Sequence, residues 1–202
     1  MPLDKTELER IDAVLVSHLH FDHLDLPSLR LLERDVTLVV PMGARRLVRE
    51  FTDVREVDVG DEVSMGEVTI HATPAEHDGA RLMLRSAPSL GYLVSGSQRI
   101  YFAGDTDLFD GMSALAGSID IALLPVSGWG SKVGPGHLDP LRAAQSLLLL
   151  KPRFAIPIHW GTFSPVNQRT SVDPPEAFRQ HAAELAPEVE ITILNPGEAL
   201  TL

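Results

Sequence analysis

Residues 17–25 read SHLHFDHLD, with three histidines and two aspartates in nine positions. Imidazole and carboxylate groups are costly to bury unless they are paired or bound to a metal. A hydrophobic core has no use for such a run, and a solvated loop does not need its spacing. His18 and His20 are two apart, and on an extended segment side chains at i and i+2 point the same way. Both imidazoles can therefore reach one cation. Asp22 and His23 follow where the chain turns toward a helix, which aims them at a second cation nearby.

Two cations need further ligands, and three more candidates lie downstream: His77 in TPAEHDG, Asp105 in FAGDTD and His159 in IPIHWG. Each follows an apolar run that reads as a strand and stands at the start of a loop. Nitrogen and oxygen donors at ~2.0–2.2 Å suit zinc, although manganese or iron accepts much the same set. The expected sharing puts His18, His20 and His77 on one Zn2+, and Asp22, His23 and His159 on the other. Asp105 bridges them, with a hydroxide as the second bridge. Cations ~3.5–4 Å apart form a hydrolytic clamp that acidifies water and stabilises charge on the substrate. Asp22 has a second candidate role, as the proton acceptor beside the hydroxide.

The elements that must position these groups follow from periodicity and punctuation. Strands are expected at 11–17, 36–41, 54–58, 62–64 and 66–73. A hairpin is expected at 89–107 with Gly96-Ser97 at its turn, and further strands at 119–126, 153–161, 189–194 and 198–201. Helices are expected at 26–35 with Asp25 as N-cap, at 44–51, at 141–151 behind Asp139-Pro140, and near 175–185. Strands alternate with helices in both halves, which favours a layered α/β fold. The polar clusters recur just after strand ends, where such folds place their sites. One domain spans residues 1–202, because no linker divides it.

Composition narrows the function classes. The 202 residues carry 28 acidic and 17 basic side chains, a net charge of −11. That balance disfavours nucleic acid or an anionic membrane surface as a partner, since both need basic patches. The absence of cysteine excludes thiolate nucleophiles, thiolate ligands and disulfides, and a cytoplasmic location fits it. No apolar run approaches the ~20 residues of a membrane span. A GxSxG elbow is absent, so a serine hydrolase is unsupported. His71 and His181 read as structural or solvated, and Arg45, Arg46 and Arg49 as a solvated face. Trp129 and Trp160 read either as pocket rim or as core.

HLHFDH matches the H-x-H-x-D-H signature of the metallo-β-lactamase superfamily, and His77, Asp105 and His159 match its later motifs in order. The chain resembles that superfamily from about residue 11 onward. The resemblance implies an αββα sandwich with the site at one edge of two sheets. TPAEH, FAGDTD, LLPVSGWG, GPGHLDP and PIHWGTF look like the branch containing N-acyl-phosphatidylethanolamine phospholipase D and ascorbate-6-phosphate lactonase. That branch implies a hydrolase of a phosphodiester or related ester, acting on a small-molecule or lipid-like substrate. A lactonase is the alternative, and a truncated metal-binding scaffold without turnover is the non-enzymatic one. His137, in GPGHLDP, resembles a residue that binds substrate or protonates the leaving group; a plain loop histidine is the other reading. Members of the superfamily carry several strands ahead of the signature, which here begins at His18. An incomplete first sheet with an exposed edge is therefore expected, with a second copy of the chain as its partner.

Overall fold

The computed structural model describes residue 8 and residues 10–79, 87–127, 134–161, 173–195 and 197–201. Strands β1 (Ala13–Leu15), β2 (Thr37–Pro41) and β3 (Val54–Val57) form a parallel sheet in that order. A second sheet has the order β10-β9-β8-β7-β6-β5-β4. Its strands are β4 (Glu62–Met65), β5 (Val68–Pro74), β6 (Leu90–Ser95), β7 (Arg99–Phe102), β8 (Ile121–Pro125), β9 (Phe154–Ile158) and β10 (Glu190–Ile191). Pairing is antiparallel from β4 to β7 and parallel from β7 to β10. Parallel neighbours need long crossovers: a 3-10 segment at Asp110–Leu115 lies between β7 and β8, helix α2 (Pro140–Leu150) between β8 and β9, and helix α3 (Pro174–Leu185) between β9 and β10.

Both sheets bury both faces, which gives four layers. Val39 and Val57 of the small sheet pack against Val63, Ile70, Ala72, Leu90 and Tyr92 of the large one. The outer face of the small sheet, through Leu38, Val40 and Val54, is covered by Leu24, Leu29, Val48 and Phe51. The outer face of the large sheet, through Tyr101, Ala122, Leu124 and Ala155, takes Ala143, Ala144 and Leu147 of α2 and Phe178 and Ala182 of α3. This is the expected αββα sandwich.

Several elements depart from the sequence expectation. The helix expected at 26–35 is one turn, α1 (Leu26–Leu29), capped by Asp25 Oδ2 accepting from Ser28 N at 3.0 Å. The helix expected at 44–51 is a 3-10 turn at Arg45–Leu47. Both pieces sit over a three-strand sheet, and Ala44, Val48 and Phe51 are already buried by that short geometry. The α2 expectation holds: Asp139 Oδ1 accepts from Arg142 N at 2.8 Å, and Lys151 ends the helix in the left-handed region at φ 49°. Residues 198–201 form no strand. Instead Leu200, with Leu194, packs on the inner face of the large sheet against the cluster of Ile121, Phe154 and Ile156. Side-chain burial there replaces backbone pairing.

No helix among the described residues is long and apolar enough to cross a membrane. The small sheet has three strands among the described residues, and all three residues of its edge strand β1 are half-buried.

Candidate metal centre

Strands β5, β7, β8 and β9 run the same way, so their C-terminal ends share one edge of the large sheet. His77, Asp105, Ser127 and His159 follow those ends. The small sheet delivers the rest. After β1 the chain leaves with Val16 N donating to Val39 O at 2.9 Å, and then crosses to the large sheet. Leu90 N donates to Ser17 O at 2.9 Å and the Tyr92 hydroxyl to Val16 O at 2.8 Å. Leu19, fully buried, points away from the site, while Leu19 N donates to Gly79 O at 3.1 Å. His18 and His20 on either side of it therefore face the same edge. His23 N and Leu24 N both donate to His20 O, a turn that brings Asp22 and His23 round.

The ligand atoms converge in four overlapping groups: His18, His20 and His77; His18, His23 and Asp105; Asp22, His23 and His159; and His77, Asp105 and His137. His77 Nε2 lies 3.2 Å from His20 Nδ1, and His23 Nε2 lies 3.3 Å from His159 Nε2. Asp105 stands between the pairs. Its Oδ2 is 3.2 Å from His23 Nε2, 3.7 Å from His137 Nε2 and 4.0 Å from His18 Nε2, and its Oδ1 is 3.7 Å from His159 Nε2. Asp22 Oδ2 is 3.7 Å from His159 Nε2 and 4.0 Å from His23 Nε2. All seven expected ligands are thus in one place, and His137 is with them.

The donor set fits divalent cations. His18 is fully buried, yet its Nε2 has no hydrogen-bond partner, and neither has Asp105 Oδ1. A buried polar atom left in that state is costly unless something binds it. Burial and the neighbouring His23 push the His18 imidazole down to about 2, so it stays neutral with a lone pair to offer. Burial likewise lowers His77. Burial alone would raise the Asp105 carboxyl, but the hydrogen bond from His23 and the surrounding imidazoles outweigh it and hold the group below its ordinary range. A neutral His18 beside an ionised Asp105 is the pairing of protonation states that metal binding requires.

The backbone is shaped to the same end. His159 sits at φ 59°, a left-handed conformation rare for a residue with a side chain. Such strain is tolerated where the surroundings over-determine it, and here it turns the ring back toward His23 as β9 ends. Gly136 has φ 83°, and a Cβ there would lie 3.2 Å from His77 Nδ1. That close approach lets Gly136 O accept from His77 Nδ1 at 2.8 Å, which leaves Nε2 for the metal side.

The loop carrying His137 is tied down by a residue that the sequence reading passed over. Asp107 accepts from Gly136 N at 3.2 Å and from Leu108 N at 2.7 Å, and pairs with Arg142 of α2 at 2.9 Å. The FAGDTD motif therefore does two jobs, Asp105 at the centre and Asp107 behind it. The signal was present as a second aspartate two residues on. Ser17 and Ser127 were given no role either, although they lie within the quoted stretches SHLHFDHLD and LLPVSGWG.

The other candidates fall elsewhere. His71 pairs with Glu62 across the β4–β5 register at 3.5 Å, and His181 lies on α3, in keeping with structural or solvated roles. Trp160 donates from Nε1 to Pro157 O at 3.0 Å and packs against the helical core. Arg45, Arg46 and Arg49 are exposed. Trp129 lies outside the described residues.

Comparison with known proteins gives the family of the chain. Residues 1–160 match the family described as Beta-lactamase superfamily domain. The chain is 33% identical to a UPF0173 metal-dependent hydrolase of Methanopyrus kandleri, over 93% of this chain and 81% of the relative. It is 30% identical to a UPF0173 metal-dependent hydrolase of Caldivirga maquilingensis, over 100% of this chain and 85% of the relative. The solved structure of Igni18, a metallo hydrolase of the archaeon Ignicoccus hospitalis, superposes with a TM-score of 0.74. It shares 25% identity, over 93% of this chain and 77% of that one. Fold, ligand geometry and relatives together make this chain a member of the beta-lactamase superfamily, alongside the UPF0173 metal-dependent hydrolases.

Proposed function

We propose that the chain is a dinuclear metal-dependent hydrolase acting on a phosphodiester or a related ester. The observation that carries this reading is the presence of two three-residue groups, His18/His20/His77 and Asp22/His23/His159, on either side of one buried carboxylate, Asp105. A mononuclear site would leave one group unused. Zinc fits the nitrogen-rich donors, and manganese or iron is the substitute. Bound there, two divalent cations would lower the pKa of a water, orient it and stabilise the charge that builds on the substrate.

The chain's own groups supply the remaining steps. Asp22 has a partly exposed carboxylate beside His23 and His159, so it can accept the proton of an attacking water. His137 is partly exposed, 3.7 Å from Asp105, and grouped with His77 and Asp105 rather than with Asp22. From there it can donate a proton to a departing alkoxide, a task suited to imidazole near neutral pH. Phosphodiester is preferred over lactone because GPGHLDP resembles the phospholipase D branch. The His137 that this motif supplies stands in the site.

The test is metal analysis joined to an ester panel. The chain is purified, loaded with zinc or manganese, and assayed on bis(4-nitrophenyl) phosphate, a carboxylic ester and a lactone. Two equivalents of metal and chelator-sensitive phosphodiester turnover are expected. Turnover confined to the lactone would favour the lactonase. Two equivalents with no turnover on the panel would favour a scaffold.

A further inference from the structure

Ser17 is 2% exposed and lies directly before the signature. Its Oγ is 3.1 Å from His18 Nδ1 and 3.2 Å from His23 Nδ1. The two rings share a group with Asp105, and each also belongs to a group of its own: His18 with His20 and His77, and His23 with Asp22 and His159. The two rings meet at a centroid distance of 4.0 Å, with Ser17 on one side and Asp105 on the other. We propose that the Ser17 hydroxyl is a positioning group shared by both metal sites, one oxygen that sets the metal-facing nitrogen of a ligand in each.

The argument is one of hydrogen-bond inventory. A ring that presents Nε2 to a cation carries its proton on Nδ1 and needs an acceptor there. His77 finds one in Gly136 O. His159 Nδ1 faces the Ser127 hydroxyl at 3.5 Å. His18 and His23 share Ser17, whose oxygen has two lone pairs and so accepts from both at once. That uses the full acceptor capacity of the hydroxyl. Rotation of either ring would break its own bond to that oxygen. Alanine keeps Cβ, and it is the Ser17 Cβ that fills the space beside Gly104, where an added Cβ would come within 2.9 Å. Ser17→Ala therefore removes the acceptor and leaves the packing.

This inference rests on the dinuclear reading, and the experiment separates the two. Zinc affinity of the full chain is measured at both sites by competition with a chromophoric chelator, for the parent, Ser17→Ala and Ser127→Ala. Long-range proton–nitrogen NMR of the zinc-loaded forms reads the Nδ1–H of His18 and His23. Ser17→Ala is expected to weaken both sites by roughly 10–100-fold, the usual cost of losing a partner behind a ligand. The Nδ1–H signals of both rings should shift and lose protection from exchange. Ser127→Ala removes a hydroxyl that faces His159, a member of the Asp22 group, and should weaken only that site. The proposal is overturned if Ser17→Ala weakens one site or neither, or if both weaken while the two ring signals stay put. A parent that binds fewer than two equivalents overturns the dinuclear reading itself.

Discussion

The metal-free chain should be acid-sensitive well above the range in which carboxylates titrate, and His18 should be the main cause. Its side chain is fully buried, and burial with the nearby His23 lowers it from 6.5 to about 2. The unfolded chain therefore takes up a proton below pH 6.5 that the folded chain refuses. The stabilisation is fully present above pH 6.5 and is lost as pH falls from there toward 2. At pH 5, about 1.5 pH units below the unfolded value, the loss from this one group is about 2 kcal/mol. For a chain of this size 1 kcal/mol moves Tm by about 2–4 °C, so the drop is about 4–8 °C. His77, lowered by burial, adds to it with the same sign. Asp105 does not interfere: a carboxyl held below its ordinary 3.8 keeps its contribution until pH falls below about 4. Circular-dichroism melts in excess chelator at pH 7.5 and 5.0 measure the effect, with His18→Gln as the comparison because glutamine cannot take the proton. The variant should lose about 2 kcal/mol less on acidification than the parent. Equal losses in the two would refute the reasoning, since the proton would then be going elsewhere.

Elemental analysis should show that His18→Ala loses one cation while Asp105→Ala weakens both, because Asp105 contacts ligands of each group; unchanged stoichiometry in both variants would refute the sharing. His137→Ala should retain both metals and slow cleavage of alkoxide-leaving substrates by roughly 10²–10⁴-fold, with a nitrophenol ester hurt less. Equal slowing of both substrates would make His137 a substrate-binding residue, and loss of metal would make it a ligand. The half-buried, apolar edge strand β1 should pair with a second copy of the chain, giving a dimer at micromolar concentration in sedimentation; a stable monomer would count against this.

The cluster of groups that could bind metal was legible in the sequence because its chemistry is local. His18 and His20 alternate about a buried Leu19, and that period-two pattern survives in the structure as one shared face. His77, Asp105 and His159 each follow an apolar run, and strand ends on one edge are where the fold gathers them. The caps at Asp25 and Asp139 were legible for the same reason, since a cap is a contact between residues three apart. What lay beyond the sequence depends on distant partners. Helical spacing at 26–35 and 44–51 was overruled because short segments already cover the small sheet. The strand expected at 198–201 became a coil because the inner face of the large sheet offered Leu200 an apolar contact. His137 could be read as a loop histidine or a site residue until Asp107 and Gly136 were seen to hold its loop against His77. Ser17 had no signature at all: a serine acquires a role only when folding brings the rings of His18 and His23 within reach of one oxygen. Residue type and local spacing determined which groups could bind metal. Tertiary packing alone decided which atoms of those groups face inward, and what stands behind them.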